Sequence, residues 1–92
     1  MYTPFPSKKY EKSFKKLKRF GKFNGKELNE VIDILCLGKK LHSVYQDHPL
    51  AGEYAGYREC HIRGNILLIY RIENQKLILI LLDIGTHSEL FG

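Results

Sequence analysis

The sequence of 92 residues has no tryptophan, one methionine, three prolines and two cysteines. The cysteines, Cys36 and Cys60, form no CxxC pair, which argues against a redox motif or a thiolate metal site. We expect both to be buried, reduced thiols. No apolar run reaches the ~20 residues of a membrane span, and the N-terminus lacks the apolar region of a signal peptide. These absences predict one globular domain over residues 1–92, cytoplasmic and without membrane contact.

Acidic side chains are nearly missing from the N-terminal part of the chain. Residues 1–26 hold nine lysines and arginines and one acidic residue, Glu11, whereas residues 27–92 hold six basic and nine acidic residues. A cationic end of this kind attracts RNA, DNA or an acidic protein segment. The alternative is a solvated helix face whose lysines only provide solubility, but a ratio of nine to one favours an anionic partner.

The first segment predicts a short strand followed by a helix. Residues 1–6 contain two prolines, which indicates an edge strand or an extended arm because proline cannot donate to a sheet. Ser7 is a suitable N-cap for a helix that begins at Lys8, and Gly21 is a suitable end. The apolar stripe of this helix has the spacing i, i+4, i+7. Its members are Tyr10, Phe14 and Leu17.

A second helix follows closely enough to form a helical hairpin with the first. Asn24 and Glu27 have capping-box spacing at its start, and Gly38 ends it. Residues 39–56 contain proline and glycines and indicate an ordered loop. The apolar side of the second helix comprises Leu28, Val31, Ile32, Leu35 and Cys36.

Three strands at residues 57–62, 66–73 and 76–84 are separated by turns short enough to predict an antiparallel meander. The first of them alternates, so Tyr57, Glu59 and His61 face one side and the residues between them face the other. The third is apolar at every position from 77 to 82, which predicts cover on both faces. The helical hairpin can cover one face, and a partner protein is the candidate for the other.

A small C-terminal helix completes the chain. Thr86 and Glu89 have the spacing of a capping box, and His87 occupies the first helical position. The predicted order is β-α-α-β-β-β followed by this short helix. The fold class is therefore α+β, with an N-terminal helical hairpin packed on an antiparallel sheet.

Three histidines, His48, His61 and His87, fall at turns or at the ends of predicted elements. Histidines in such places near a basic surface favour acid–base chemistry on an anionic substrate. Taken one at a time, each is more often a structural histidine with a satisfied hydrogen bond. His42 is interpreted as a surface residue. The histidines have no ligand spacing along a helix or in a CxxH pattern, so we expect neither a metal nor another cofactor.

Four motifs at linked spacing carry a resemblance to a known family: DHPL at residues 47–50, GYRECH at 56–61, LLIY at 67–70 and GTHSELF at 85–91. From about Val44 onward the chain resembles the YafQ branch of the RelE/ParE toxin superfamily. The resemblance implies a toxin of a type II toxin–antitoxin system. Such toxins are metal-independent endoribonucleases that cut mRNA on the ribosome, and a DinJ- or RelB-like antitoxin neutralises them.

The resemblance also implies roles for individual residues. Cleavage needs a base for the ribose 2′-hydroxyl, an acid for the leaving 5′-oxygen and donors for the phosphorane charge. The family has histidines at the positions of His48, His61 and His87, the last as general acid, and Phe91 would stack on a nucleotide. Apart from the resemblance, Asp47 directly precedes His48 in the chain, and we expect it to orient that histidine. The further candidates for substrate or ribosome binding are Arg63, Asn65, Lys12, Lys15, Lys16 and Arg19.

Two positions depart from the family pattern. Asn65 stands where the family has an acidic residue, and Asp83 stands where it has an arginine that stabilises phosphate charge. An aspartate in the groove would repel the substrate, so Asp83→Arg is expected to raise nuclease activity, and Arg63 or Arg71 would have to replace the missing cation. The alternative function is therefore a catalytically impaired toxin-fold protein that binds RNA and antitoxin. The histidines argue against a ParE-like gyrase inhibitor.

The antitoxin is expected to cover the face of the third strand that carries Leu77, Leu79 and Leu81. Asp83 has the same parity as these leucines along a regular strand, which would place the antitoxin close to the substrate site.

Overall fold

The computed structural model describes residues 1–21, 23, 25–63 and 65–92. The elements are β1 (Thr3–Pro6), α1 (Lys8–Phe20), α2 (Gly25–Cys36), β2 (His48–Pro49), β3 (Arg58–Ile62), β4 (Ile66–Glu73), β5 (Ile78–Thr86) and α3 (His87–Phe91). A helical hairpin packs on a five-stranded sheet with the strand order β1-β5-β4-β3-β2. Strand β1 runs parallel to β5, and the other neighbours are antiparallel. The predicted α+β architecture is confirmed.

Local signals in the sequence set the ends of α1. The Ser7 hydroxyl accepts a hydrogen bond from the Tyr10 amide at 2.9 Å, and Gly21 closes the helix in the left-handed region at φ 68°. Both observations confirm the sequence-based boundaries. The capping box predicted from Asn24 and the turn predicted across Gly64 lie partly outside the described residues.

One hydrophobic core lies between the hairpin and the sheet. Helices α1 and α2 contribute the predicted apolar stripes, and the sheet contributes Cys60, Leu68, Tyr70, Leu79 and Leu81. Both cysteines are buried free thiols, as expected, and burial raises the pKa of Cys60. Within the described residues, no helix is long and apolar enough to cross a membrane.

The third strand of the meander differs from its prediction. The turn before it extends over residues 74–77, so β5 begins at Ile78, and Leu77 stands in the turn at φ 55°. Leu79 and Leu81 are 0% and 3% exposed and belong to the core beneath the helices. The expectation that an antitoxin covers the face of these leucines is therefore wrong. The alternate residues of β5 are only partly buried and lie on the other face of the strand: Ile78, Ile80 and Leu82.

A β-bulge explains why strand parity fails near the end of β5. Tyr70 lies opposite Leu81 and Ile69 lies opposite Asp83, so Leu82 has no partner on β4. An extra residue of this kind shifts the alternation of side chains by one. Asp83 therefore does not share the face of the buried leucines, contrary to the expectation from the sequence.

Candidate active site

Two short strands bring His48, Glu59 and His61 together. His48 lies opposite Glu59 in the pairing of β2 with β3, and His61 follows Glu59 by two positions on β3, which places both on one face. The Nε2 atoms of His48 and His61 lie 3.4 and 3.5 Å from the same Glu59 Oε1. Glu59 is 5% exposed, whereas the histidine side chains are 47% and 37% exposed. A buried carboxylate thus holds two solvent-accessible imidazoles.

The backbone fixes the orientation of the His48 ring. Its Nδ1 lies 2.7 Å from the Gln46 carbonyl oxygen, which can only accept a hydrogen bond, so Nδ1 carries a proton. Nε2 is therefore the nitrogen that can exchange a proton or bind a ligand. Gln46 adopts the left-handed conformation at φ 50°, at the end of a short 3-10 turn just before β2.

Helix α3 presents His87 and Phe91 on one side. They are four residues apart, and their ring centres are 5.2 Å apart. Tyr54 packs edge-on against Phe91 at 5.6 Å. Sequence reasoning missed Tyr54, because its loop approaches α3 only in the folded chain. Tyr54, Phe91 and His87 therefore form one cluster of rings.

The predicted capping box of α3 is confirmed and ties the helix to α1. Glu89 Oε1 accepts from the Thr86 amide at 2.8 Å, and Lys16 Nζ lies 3.4 Å from Glu89 Oε2. The hydrogen bond from the Thr86 backbone lowers the pKa of Glu89. A Cβ added at Gly85 would lie 3.1 Å from Glu89 Oε1, so glycine lets the helix fold back on the strand.

Because the folded-state pKa of Glu89 is depressed, its contribution to stability is present above the ordinary glutamate pKa and is lost as pH falls through the folded value. We expect α3 to loosen at acidic pH before the rest of the domain unfolds. NMR signals of the His87 and Phe91 rings would report this, and Glu89→Ala should show the same loosening at neutral pH. Coincident loss of α3 and core signals would contradict a separate transition.

A groove of about 480 Å³ lies between His61 of the histidine pair and His87 of α3. It is lined by His61, Asn65, Leu67, Thr86, His87 and Ser88. The structure therefore brings together His61, Asn65 and His87, and His48 adjoins them through Glu59. Asn65 adopts φ 66°, a conformation that asparagine tolerates better than most residues.

Arg63 does not join this groove. Its guanidinium Nε lies 3.4 Å from Glu27 Oε2, and its backbone amide donates to Glu27 Oε1 at 2.8 Å. Arg71 alternates with Ile69, which lies opposite Glu59, so Arg71 shares the face of the histidine pair. It stacks on Tyr57 at 5.6 Å and pairs with Glu73 at 2.8 Å. Of the two arginines considered from sequence, Arg71 is the better placed.

Two aspartates have structural partners. Asp47, expected to orient His48, instead accepts from the Tyr70 hydroxyl at 2.6 Å and pairs with Arg58 at 3.2 Å. Asp83 Oδ1 accepts from the Ser13 hydroxyl at 2.6 Å and the Ile84 amide at 2.8 Å, and Lys9 Nζ is 3.7 Å from Oδ2. Asp83 is 3% exposed. Its charge is compensated within the fold, so the expected repulsion of substrate loses its physical basis.

The basic side chains of α1 form an exposed surface next to α3. An open depression of about 420 Å³ is lined by Lys9, Lys12, Ser13, Lys15, Lys16 and Arg19. The Lys16–Glu89 pair connects this surface to the helix that carries His87. The four predicted binding residues of α1 therefore lie together, beside the histidine groove rather than inside it.

The histidine pair also has the composition of a metal site. One ligating atom from each of His48, Glu59 and His61 lies within 4.8 Å of the others. The sequence argument against a metal used spacing along the chain, and it does not apply here because the ligands come from two paired strands. Glu59 received no role from sequence, although its alternation with His61 was visible. Whether the protein works without a metal stays a prediction.

The hairpin on a mixed sheet, with a short terminal helix beside a histidine groove, defines a toxin of the RelE-like fold. A family model described as "Bacterial toxin of type II toxin-antitoxin system, YafQ" matches residues 2–92. The chain therefore belongs to the YafQ family, and the resemblance found in the sequence is confirmed.

Relatives and solved structures agree with this assignment. The mRNA interferase toxin YafQ of Escherichia coli strain B is 31% identical over 87 residues, 90% of this chain and 92% of that protein. The strain K12 toxin of the same name is 42% identical over a segment covering 56% of this chain and 54% of that protein. A copper-bound mutant toxin from Helicobacter pylori superposes with TM-score 0.91 and 41% identity, covering 99% and 100% of the two chains. A chain of the E. coli DinJ–YafQ complex superposes with TM-score 0.85 and 29% identity, and the match covers 100% of this chain and 100% of that chain.

Proposed function

We propose that this toxin is an mRNA endoribonuclease that acts on the ribosome and uses His48, His61 and His87 for proton transfer. The observation that carries the proposal is the convergence of the histidines: His61 shares Glu59 with His48 and lines one groove with His87. The names of the curated relatives support the same reaction class.

The reaction divides between the two sides of the groove. A histidine of the Glu59-bound pair takes the proton of the ribose 2′-hydroxyl, and the 2′-oxygen attacks the adjacent phosphorus. His87 donates a proton to the departing 5′-oxygen, which leaves a cyclic phosphate and a free 5′-hydroxyl. Glu59 stabilises the imidazolium that forms beside it. Phe91 holds a base by stacking, next to His87 and Tyr54.

The substrate is anionic, and cations flank the groove. Arg71 is our candidate for phosphate charge on the sheet, since it shares the face of the histidine pair, whereas Arg63 does not line the groove. The basic surface of α1 binds RNA of the ribosome or the message through phosphate contacts. A DinJ-like antitoxin is the proposed neutralising partner, because a relative is solved in a complex with DinJ. The catalytically impaired alternative has lost the support it drew from Asp83.

Replacing Lys12, Lys15, Lys16 and Arg19 by glutamine should weaken ribosome binding while leaving the histidine groove in place. Each lost phosphate contact lowers the slope of log affinity against log salt by roughly one. Sedimentation of toxin with ribosomes at several salt concentrations measures the slope. A matched control removes the same number of charges outside α1, at the exposed lysines Lys26, Lys39, Lys40 and Lys76. Equal slopes for the α1 variant and the control would move the contact surface away from α1.

We also propose that His48, Glu59 and His61 bind a transition metal ion. Two imidazoles and a carboxylate form a donor set that suits copper and zinc better than magnesium or calcium. The Nε2–Oε1 separations of 3.4 and 3.5 Å match the roughly 3.4 Å between ligand atoms of a tetrahedral ion with bonds of about 2.1 Å. The copper-bound relative from Helicobacter pylori supports this proposal.

A further inference from the structure

We propose that a metal ion held by His48, Glu59 and His61 switches the nuclease off. The inference rests on the proposed nuclease function and on the proposed metal site, and it concerns the regulation of that site. Its structural basis is that two of the three side chains able to ligate the ion, His48 and His61, are also assigned to proton transfer.

The geometry makes the two uses of the histidines exclusive. The Nδ1 proton of His48 is engaged by the Gln46 carbonyl, so only Nε2 offers a lone pair, to a proton or to a metal. A backbone carbonyl on the other ring nitrogen is also the usual support of a metal-bound histidine. Once Nε2 is coordinated, it can neither accept the 2′-hydroxyl proton nor return it.

Glu59 makes the site selective for a cation. Its carboxylate is buried, and Oε1 faces both rings. The rings are partly exposed, so an ion can enter from solvent and keep solvent molecules as its remaining ligands. Removal of the carboxylate should therefore weaken metal binding more than it disturbs the fold.

His87 is outside the ligand set and lies across the groove. Metal binding therefore leaves the proposed acid and the basic surface of α1 free. We expect the loaded toxin to bind ribosomes normally and to cleave more slowly. Loss of general base catalysis alone predicts a fall of roughly 10²–10⁴-fold in rate.

The experiment has a binding arm and an activity arm. Full-length toxin is titrated with Cu²⁺ and with Zn²⁺ by calorimetry, and the Cu²⁺ form is examined by EPR for nitrogen coupling. Wild type and His87→Ala should bind one ion with two nitrogen ligands, whereas His48→Ala and Glu59→Gln should lose the site. Ribosome-dependent mRNA cleavage is then measured before loading, after loading and after chelation.

Wild-type cleavage should fall by roughly 10²-fold or more on loading and return on chelation. Each variant is compared with its own metal-free rate, and the residual rate of Glu59→Gln should not respond to metal. The same fall in Glu59→Gln would assign the effect to the ribosome or RNA and overturn the inference. Unchanged or faster cleavage by occupied wild-type toxin would overturn it as well, as would the absence of binding. A metal-free toxin without cleavage would refute the nuclease function itself, and with it the switch, whatever the titration shows.

Discussion

Replacement of His87 by alanine should abolish growth arrest and lower ribosome-dependent mRNA cleavage by roughly 10²–10⁴-fold, the usual cost of losing a general acid. His87 is exposed at the first position of α3 and lines the groove with His61. The cap of α3 comes from Thr86 and Glu89, so the helix keeps its fixed start in the variant. The thermal midpoint should therefore stay near that of wild type.

His42→Ala is the matched control for this experiment. His42 is exposed, accepts a hydrogen bond from the Val44 amide at 3.1 Å, and does not line the groove of His61 and His87. Its variant should arrest growth as wild type does. Added imidazole should restore part of the cleavage by His87→Ala, because a diffusing acid can occupy the vacated space. Growth arrest by His87→Ala at wild-type strength and equal expression would remove the residue from the mechanism.

The parts of the fold predicted correctly from sequence depend on local chemistry. Ser7 and Gly21 fix the ends of α1, and Thr86 with Glu89 fixes the start of α3, since a cap needs only residues within one turn. The meander followed from turns that are too short for any crossover. In each of these cases the atoms that decide the structure are close together in the chain.

The errors arose where the structure depends on distant residues. All positions of the third strand from 77 to 82 are apolar, so periodicity could not decide which leucines face the helices. The bulge at Leu82 depends on the pairing with β4. It shifts the alternation of side chains by one position, so Asp83 faces the opposite side from that expected for a regular strand. Pairing of the two-residue strand β2 with β3 was likewise invisible, because one proline-containing pair gives no alternating pattern.

The same distinction between local and distant information applies to the candidate site. Motif resemblance located His48, His61 and His87, and alternation placed Glu59 beside His61. Their common contact with one carboxylate oxygen required the β2–β3 register, which brings His48 opposite Glu59. The ion pair between Arg63 and Glu27 could not be predicted from sequence, because it forms only where α2 approaches the turn after β3. A side chain's identity is local information, but the availability of its charge is a property of the folded chain.

Asp83→Arg tests this distinction with a second large expected effect. The resemblance to the family predicted a gain in activity from restoring an arginine. In the folded chain, the aspartate instead joins β5 to α1 through Ser13 and Lys9 and is almost completely buried. An arginine would lose these contacts, place a second cation beside Lys9 and exceed the volume of the site.

We expect Asp83→Arg to destabilise the toxin by on the order of 3 kcal/mol, from the lost hydrogen bonds and the uncompensated buried charge. For a domain of this size, that corresponds to a fall of roughly 12–24 °C in the melting midpoint. Circular dichroism measures the midpoint, and cleavage should be compared at a temperature where both proteins are folded.

Asp83→Asn separates the charge from the hydrogen bonds. Its amide oxygen can still accept from the Ser13 hydroxyl and the Ile84 amide, and only the ion pair with the exposed Lys9 is lost, which is worth less than about 1 kcal/mol. The asparagine variant should therefore melt within a few degrees of wild type and keep its activity, while the arginine variant does neither. An arginine variant that melts like wild type and cleaves faster would show that position 83 serves the phosphate rather than the joint between α1 and β5.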